Sequence, residues 1–258
     1  MTKKLGDFTG LAENYSKFRP AYSPFILDAL LGITNKPVED IDYVDVGAGT
    51  GIWTRMVALR GLNSATAVEP NDDMRSFGIK DSEATSINWV KGDGETTNLP
   101  NNSADILTMA SSFHWVDFDK GIAEFSRVLR DQGIFCALWN PRLLEANPLL
   151  VEIEQTLYEM APHIKRVSSG RATFTDTLLN NLNDCEQFSD VLYLEGRHVV
   201  QQTPEEYIGV WWSVNDIRVQ AGEQCFADFM KYVEAKVVDL PFIETTYQTR
   251  AWAAKVNK

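Results

Sequence analysis

Residues 43–52, Tyr43-Val44-Asp45-Val46-Gly47-Ala48-Gly49-Thr50-Gly51-Ile52, run from a short apolar strand into a helix through three alternating glycines. Glycine lets the backbone turn tightly and come close to a ligand. The free N–H groups at the start of the following helix favour a carboxylate or a phosphate. In this setting the segment predicts ligand binding rather than an ordinary turn. A dinucleotide fingerprint, G-x-G-x-x-G/A counted from Gly47, would need a small residue where Ile52 stands. The observed G-x-G-x-G spacing therefore disfavours a nicotinamide-dependent oxidoreductase, which stays as a lesser alternative.

Strand and helix signals alternate outward from this loop. Ser23-Pro24 opens a helix with Ile26, Leu27, Leu30 and Leu31 on one stripe. Strands are expected at 43–46, 65–68, 87–90, 106–110 and 134–139, with helices at 52–59 and 71–79. A further helix, with Asp119 or Asp117 as its cap, carries Ile122, Phe125 and Leu129 on one face until Gly133 breaks it. Such alternation predicts an α/β fold, a Rossmann-like, mostly parallel sheet with helices on both faces.

Two more segments lie at strand ends. Glu69, in Val68-Glu69-Pro70, follows Gly49 by twenty residues. A carboxylate there can accept both hydroxyls of a ribose. Gly92-Asp93-Gly94-Glu95 follows the third strand. Asp93 could accept an adenine amino group while the glycines leave room for the ring.

The whole chain has 258 residues, with 24 Lys and Arg against 36 Asp and Glu, a net charge of −12. Length fits one large domain or one domain with an insertion. The acidity and the lack of a basic stripe speak against a nucleic-acid partner. No run approaches the roughly 18 apolar residues of a membrane span. The first ten residues hold two lysines and no apolar core, unlike a secretory signal. Cys136, Cys185 and Cys225 are scattered and lack a CxxC, so neither disulfides nor a metal site is expected. A cytoplasmic protein is the simplest expectation; oligomeric state is not legible.

Five segments in order, DVGAGTG (45–51), VEP (68–70), GDGETTNLP (92–100), DILTMASSFHWVD (105–117) and LRDQGIFCALW (129–139), resemble a class I S-adenosylmethionine-dependent methyltransferase. The resemblance covers about residues 9–140. YSKFRPAY (15–22) is similar to the leading segment of the small-molecule branch that includes trans-aconitate methyltransferase-like proteins. Residues 247–256 resemble that branch's last, antiparallel strand, so a seven-stranded sheet is implied.

The resemblance implies S-adenosylmethionine as cofactor. Asp45, Gly47, Ala48 and Gly49 would line its methionine part and Glu69 with Pro70 its ribose. Asp93, Gly94 and Glu95 would surround the adenine, and Ser111 would lie near the sulfur. Tyr15 and Arg19 would close over the amino-acid end, with Tyr15 also a catalytic candidate. Methyl transfer from a sulfonium needs alignment above all, worth about 7–11 kcal/mol. Only an acceptor of high pKa needs a general base, and His114 is the candidate by its ordinary pKa. The other reading of His114 is structural.

The second half reads differently. Leu150, Ile153, Leu157 and Met160 predict a helix, 191–200 a long strand, and Thr203-Pro204-Glu205-Glu206 a capping box opening another helix. Phe226, Phe229, Met230, Val233 and Val237 continue helical spacing. The chain is thus expected to be a single methyltransferase domain, with 141–190 and 203–244 as helical insertions over the carboxyl edge of the sheet, where such folds bind ligands. Acceptor-site candidates are Tyr22, Trp115, Trp139, Trp211 and Trp212. Neighbouring tryptophans on a helix point apart, so one of the last pair faces a pocket and the other a core. Arg142 and Arg171 either bind an anion or are solvated. The leading functional expectation is methylation of a small molecule; the alternative is a non-catalytic protein that holds the same cofactor.

Overall fold

The computed structural model describes residues 9–165 and 173–258. Its first half contains α1 (Ala12–Phe18), α2 (Pro24–Gly32), β1 (Asp42–Val46), α3 (Ile52–Ala58), β2 (Ser64–Val68), α4 (Asp72–Asp81), β3 (Ile87–Val90), β4 (Ala104–Ala110), α5 (Phe118–Val128) and β5 (Leu129–Trp139). The second half contains α6 (Pro148–Met160), α7 (Thr173–Asp184), β6 (Phe188–Gln202), α8 (Pro204–Trp212), α9 (Asn215–Ala221), α10 (Glu223–Val237) and β7 (Ile243–Val256). One seven-stranded sheet has the order β3-β2-β1-β4-β5-β7-β6. β1 to β5 pair in parallel, and β7 runs antiparallel to both β5 and β6. This is the expected Rossmann-like sheet with an antiparallel last strand. The parallel strands are apolar on both faces, as burial by helices on both sides demands.

Three apolar clusters divide the work. On one face of the sheet, Ile122 and Phe125 of α5 and Leu178 and Leu182 of α7 pack on Phe135, Phe188 and Trp252. On the other, Ile26 and Leu30 of α2 and Trp53 and Val57 of α3 pack on Tyr43, Cys136 and Ala253. The third cluster is separate and belongs to α6, α8, α9 and α10, around Ile153, Tyr207, Trp211, Phe229 and Val233. These four helices form a cap beside the carboxyl ends of the strands. α7, though inside the segment 141–190, belongs to the sheet and not to that cap.

Several boundaries differ from the sequence reading. α5 is capped by Asp117, whose carboxylate accepts the Lys120 N–H, rather than by Asp119. It ends at Val128, and Leu129 already has extended backbone and starts β5. Local apolar spacing cannot separate a last helical residue from the first of a buried strand. Met160 is exposed, and Ala161 closes the buried stripe of α6 in its place. β6 starts at Phe188 and β7 at Ile243, each earlier than expected, because their long antiparallel ladder outlasts the alternating pattern. The capping box at Thr203 is fully formed: its hydroxyl accepts the Glu206 N–H, and the Glu206 carboxylate accepts the Thr203 N–H.

Arg171 lies outside the described residues. Among those described, no helix is long and apolar enough to cross a membrane, and no cluster of His, Cys, Asp and Glu could hold a metal ion.

Candidate active site

A cavity of about 620 Å³ opens where β1 and β4 end and the cap begins. Its floor is the loop after β1. Gly47 has φ +66°, and a Cβ there would lie 2.7 Å from the Cβ of Ser112. Only glycine fits that conformation and that approach. The Gly47 and Ala48 N–H groups donate to the Val68 carbonyl at 2.8 and 3.1 Å, which ties the loop to the end of β2. Glu69 follows that carbonyl. Its Oε2 accepts the Gly49 N–H at 2.7 Å and its Oε1 the Asn71 N–H at 2.9 Å. Burial raises the Glu69 pKa above the usual carboxylate value, against the pull of those two amides and of Arg75.

Gly47, Ala48, Gly49, Glu69, Pro70, Asp93, Gly94 and Ser111 all border this cavity. Asp93 also shapes its own turn, its Oδ1 accepting the N–H groups of Glu95 and Thr96. Ser111 sits at the end of β4 with φ +58°. Such backbone in a non-glycine residue is strained, and strain of this kind gathers at functional sites. The Ser111 hydroxyl is 2.9 Å from the Tyr22 hydroxyl. Burial pushes the Tyr22 pKa up, so it is a neutral phenol.

Tyr15, Arg19 and Tyr22 border the same space from the N-terminal segment, and Trp115, Trp139 and Trp211 from the far side. Arg19 lies 5.0 Å from the Tyr15 ring, and its Nε donates to the Ser213 hydroxyl at 2.8 Å. The N-terminal segment is thereby fastened to the cap. Phe18 packs so closely on Gly209 of α8 that a Cβ there would come within 2.3 Å of its ring.

Four expected site residues lie elsewhere. Asp45 is fully buried and does not border the cavity. Its carboxylate accepts the Thr54 hydroxyl at 2.6 Å and the Thr108 hydroxyl at 2.9 Å. It therefore joins β1 to α3 and β4. Glu95 points outward to the Asp117 N–H and to Lys120. Trp212 packs edge-on against Phe226 in the cap core, while its neighbour Trp211 faces the cavity. His114 stands behind the wall: Trp139 Nε1 donates to its Nδ1 at 3.4 Å. Burial lowers its pKa to about 4, with Asp216 pulling the other way. A neutral ring that accepts at Nδ1 carries its proton on Nε2. It has no free lone pair for an acceptor's proton, so the geometry disfavours the general-base reading.

Asp45 yields a pH prediction. Desolvation raises its pKa to about 7, with the Thr54 and Thr108 hydroxyls opposing. A carboxyl raised on folding favours the native state fully below its unfolded pKa, near 4. That contribution fades as pH climbs through about 7. Each pH unit in the window is worth up to about 1.4 kcal/mol. Denaturant unfolding of wild type and the Asp45→Asn variant from pH 4 to 8 checks this. The stability difference should move in favour of the variant as pH rises to about 7, then level off. A difference independent of pH overturns the assignment.

The sequence reading missed part of the far wall. Glu154, Asn215, Asp216 and Tyr247 all border the cavity. Arg142 and Glu154 form a pair at 3.2 Å, with side chains 11% and 10% exposed, so Arg142 is not a solvated surface arginine. Its guanidinium lies 4.5 Å from the Trp211 ring centre. A signal existed: Glu154 falls on the same helical face as Leu150, Ile153 and Leu157, and a charge on an apolar stripe needs a partner.

Comparison with known proteins agrees with this geometry. Residues 44–137 match the family model described as a methyltransferase domain. The uncharacterized methyltransferase Rv3342 of Mycobacterium tuberculosis is 34% identical over 128 residues, 50% of this chain and 49% of its own length. A Dictyostelium discoideum protein, provisionally named a methyltransferase, is 27% identical over 164 residues, 61% of this chain and 59% of its own. The chain thus spans about half the length of the curated relatives it matches. A solved structure from Anaeromyxobacter dehalogenans, provisionally named a type II methyltransferase, shares the fold: TM-score 0.66, 20% identity, 92% of this chain and 98% of that one. Motifs, sheet topology and the matched segment agree on a methyltransferase domain at residues 44–137.

Proposed function

We propose that this protein transfers the methyl group of S-adenosylmethionine to a small-molecule acceptor held under the helical cap. The observation that carries the proposal is that one cavity is bordered both by the glycine loop with Glu69 and by Arg142, Glu154 and Trp211 of the far wall. Its volume lies in the range of small-ligand sites. The residues present suit the cofactor. Backbone at Gly47 to Gly49 can lie close to its amino-acid part, Glu69 has two oxygens for two ribose hydroxyls, and Asp93 with Gly94 borders the space for the base.

When bound, S-adenosylmethionine supplies an electrophilic methyl group, so the chain's own task is alignment and exclusion of water. Tyr15, Arg19 and Tyr22 would close one side and Trp115, Trp139 and Trp211 the other. The Tyr22 hydroxyl holds Ser111 at the end of β4. No proton-accepting role falls to His114; it positions the Trp139 indole instead.

The test has two stages. Calorimetric titration should show saturable binding of S-adenosylmethionine, and no binding at millimolar concentration would sink the proposal. Incubation with methyl-labelled cofactor and a panel of small acceptors should then release S-adenosylhomocysteine with particular acceptors only. Tight binding without turnover on any acceptor would favour the non-catalytic reading.

A further inference from the structure

β6 forms one edge of the sheet and pairs with β7 alone. Its outer row of backbone N–H and C=O groups has no strand partner among the described residues. Edge strands of this kind invite pairing with another chain unless something blocks them. From Leu192 to Gln202 the register with β7 is unbroken, so the edge is long and regular. It also exposes apolar side chains: Leu192 is 45% exposed, Tyr193 41% and Val199 57%. Phe25 is 67% exposed on α2, the helix that covers Gly196 from one face of the sheet.

We propose that this edge pairs with a second copy of the same chain, antiparallel, about a two-fold axis through Gly196, joining two seven-stranded sheets into one. Charge complementarity selects both the occupant and the register. An axis normal to the sheet keeps each residue's face, so only residues of equal parity can lie opposite one another. Centring the axis on residue 195 would set Glu195 against Glu195, and on residue 197 Arg197 against Arg197. Like charges directly opposite are unfavourable. Centring it on Gly196 sets Glu195 against Arg197 twice, and Tyr193 against Val199 twice. On the other face Leu192 meets Val200 and Leu194 meets His198.

The ionic environment agrees. Arg197 makes no hydrogen bond or ion pair among the described residues of its own chain, where it faces Gln248 of β7. Glu195 accepts the Tyr193 hydroxyl at 2.7 Å and stands opposite Arg250. Within one copy Glu195 already lies in the field of Arg250 and Arg197, and a partner copy would add a second carboxylate opposite Arg197 and a further cation opposite Glu195. A shift of register between Ser189 and Leu192, with Asp190 at φ +50°, ends the regular edge on one side. Pairing would therefore stop near residues 192 and 200. Charged side chains are one device that protects edge strands; here charges of opposite sign flank the glycine and complement themselves.

Sedimentation velocity on the full chain at micromolar concentration should give a dimer. Arg197→Glu and Glu195→Arg should each weaken it at least about tenfold, since each sets like charges opposite at two symmetric places. The double exchange Glu195→Arg/Arg197→Glu should restore it. Thermal unfolding of each variant confirms that it is folded, and the two single reversals check one another if one is not. A monomeric wild type, a dimer indifferent to both reversals, or a double exchange that stays monomeric would each overturn the proposal.

Discussion

Replacing Glu69 with alanine will weaken S-adenosylmethionine binding about 100-fold. Each Glu69 oxygen already accepts one backbone N–H, from Gly49 or from Asn71. A carboxylate oxygen has room for a second donor, so one more position per oxygen remains for a ribose hydroxyl. Hydrogen bonds to a charged group are worth about 1.5–3 kcal/mol each. Losing both costs at least about 3 kcal/mol, and 1.4 kcal/mol is a factor of ten. The same carboxylate also anchors the glycine loop, so the melting temperature of Glu69→Ala and of Glu69→Gln is read beside the affinity. Glutamine keeps the shape but turns one acceptor into a donor that faces an N–H group. It should lose much of the affinity and also melt below wild type, because one backbone tie of the loop is lost with it. Calorimetric titration of both variants decides the matter, and an affinity within threefold of wild type for Glu69→Ala rejects the ribose assignment. Because burial raises this carboxyl's pKa, wild-type binding should also weaken at a higher pH than an ordinary carboxylate would allow.

The glycine-loop side of the cavity was legible because backbone geometry there restricts residue type. Gly47 must be glycine, since its φ is positive and Ser112 leaves no space for a Cβ. Glu69 must be acidic and at a strand end to reach both the loop and the cavity. Such restrictions leave motifs. Asp45 sits inside the motif yet points away, because adjacent residues of a strand face opposite sides and the Thr54 and Thr108 hydroxyls take its carboxylate. His114 was legible as a residue of interest but not in its role, which depends on Trp139, distant in sequence. The far wall of the cavity was least legible. Arg142, Glu154, Trp211 and Tyr247 come from a loop, two helices and a strand, and only the tertiary fold brings them to one wall.

On that wall, Arg142→Met will destabilise the protein by about 3–5 kcal/mol, and the double variant Arg142→Met/Glu154→Leu will recover most of the loss. Both side chains are about nine-tenths buried. Burial works to lower the Arg142 pKa, but Glu154, Tyr207 and Tyr247 outweigh it and raise it. Removing the cation leaves the buried Glu154 carboxylate without its counter-charge, and removes the guanidinium from the Trp211 face, worth about 0.5–2 kcal/mol more. For a chain of this length each kcal/mol moves the melting temperature by roughly 2–4 °C. A fall near 10 °C is therefore expected for the single variant. The double variant replaces the pair by apolar groups, which is often neutral or stabilising. Differential scanning calorimetry distinguishes the outcomes. A single variant that melts with wild type would mean that water in the cavity solvates Glu154 as well as Arg142 does. In a double variant that melts like wild type and still binds cofactor, any loss of turnover reports on the acceptor alone. The pair would then be kept for recognition, since an apolar wall folds equally well.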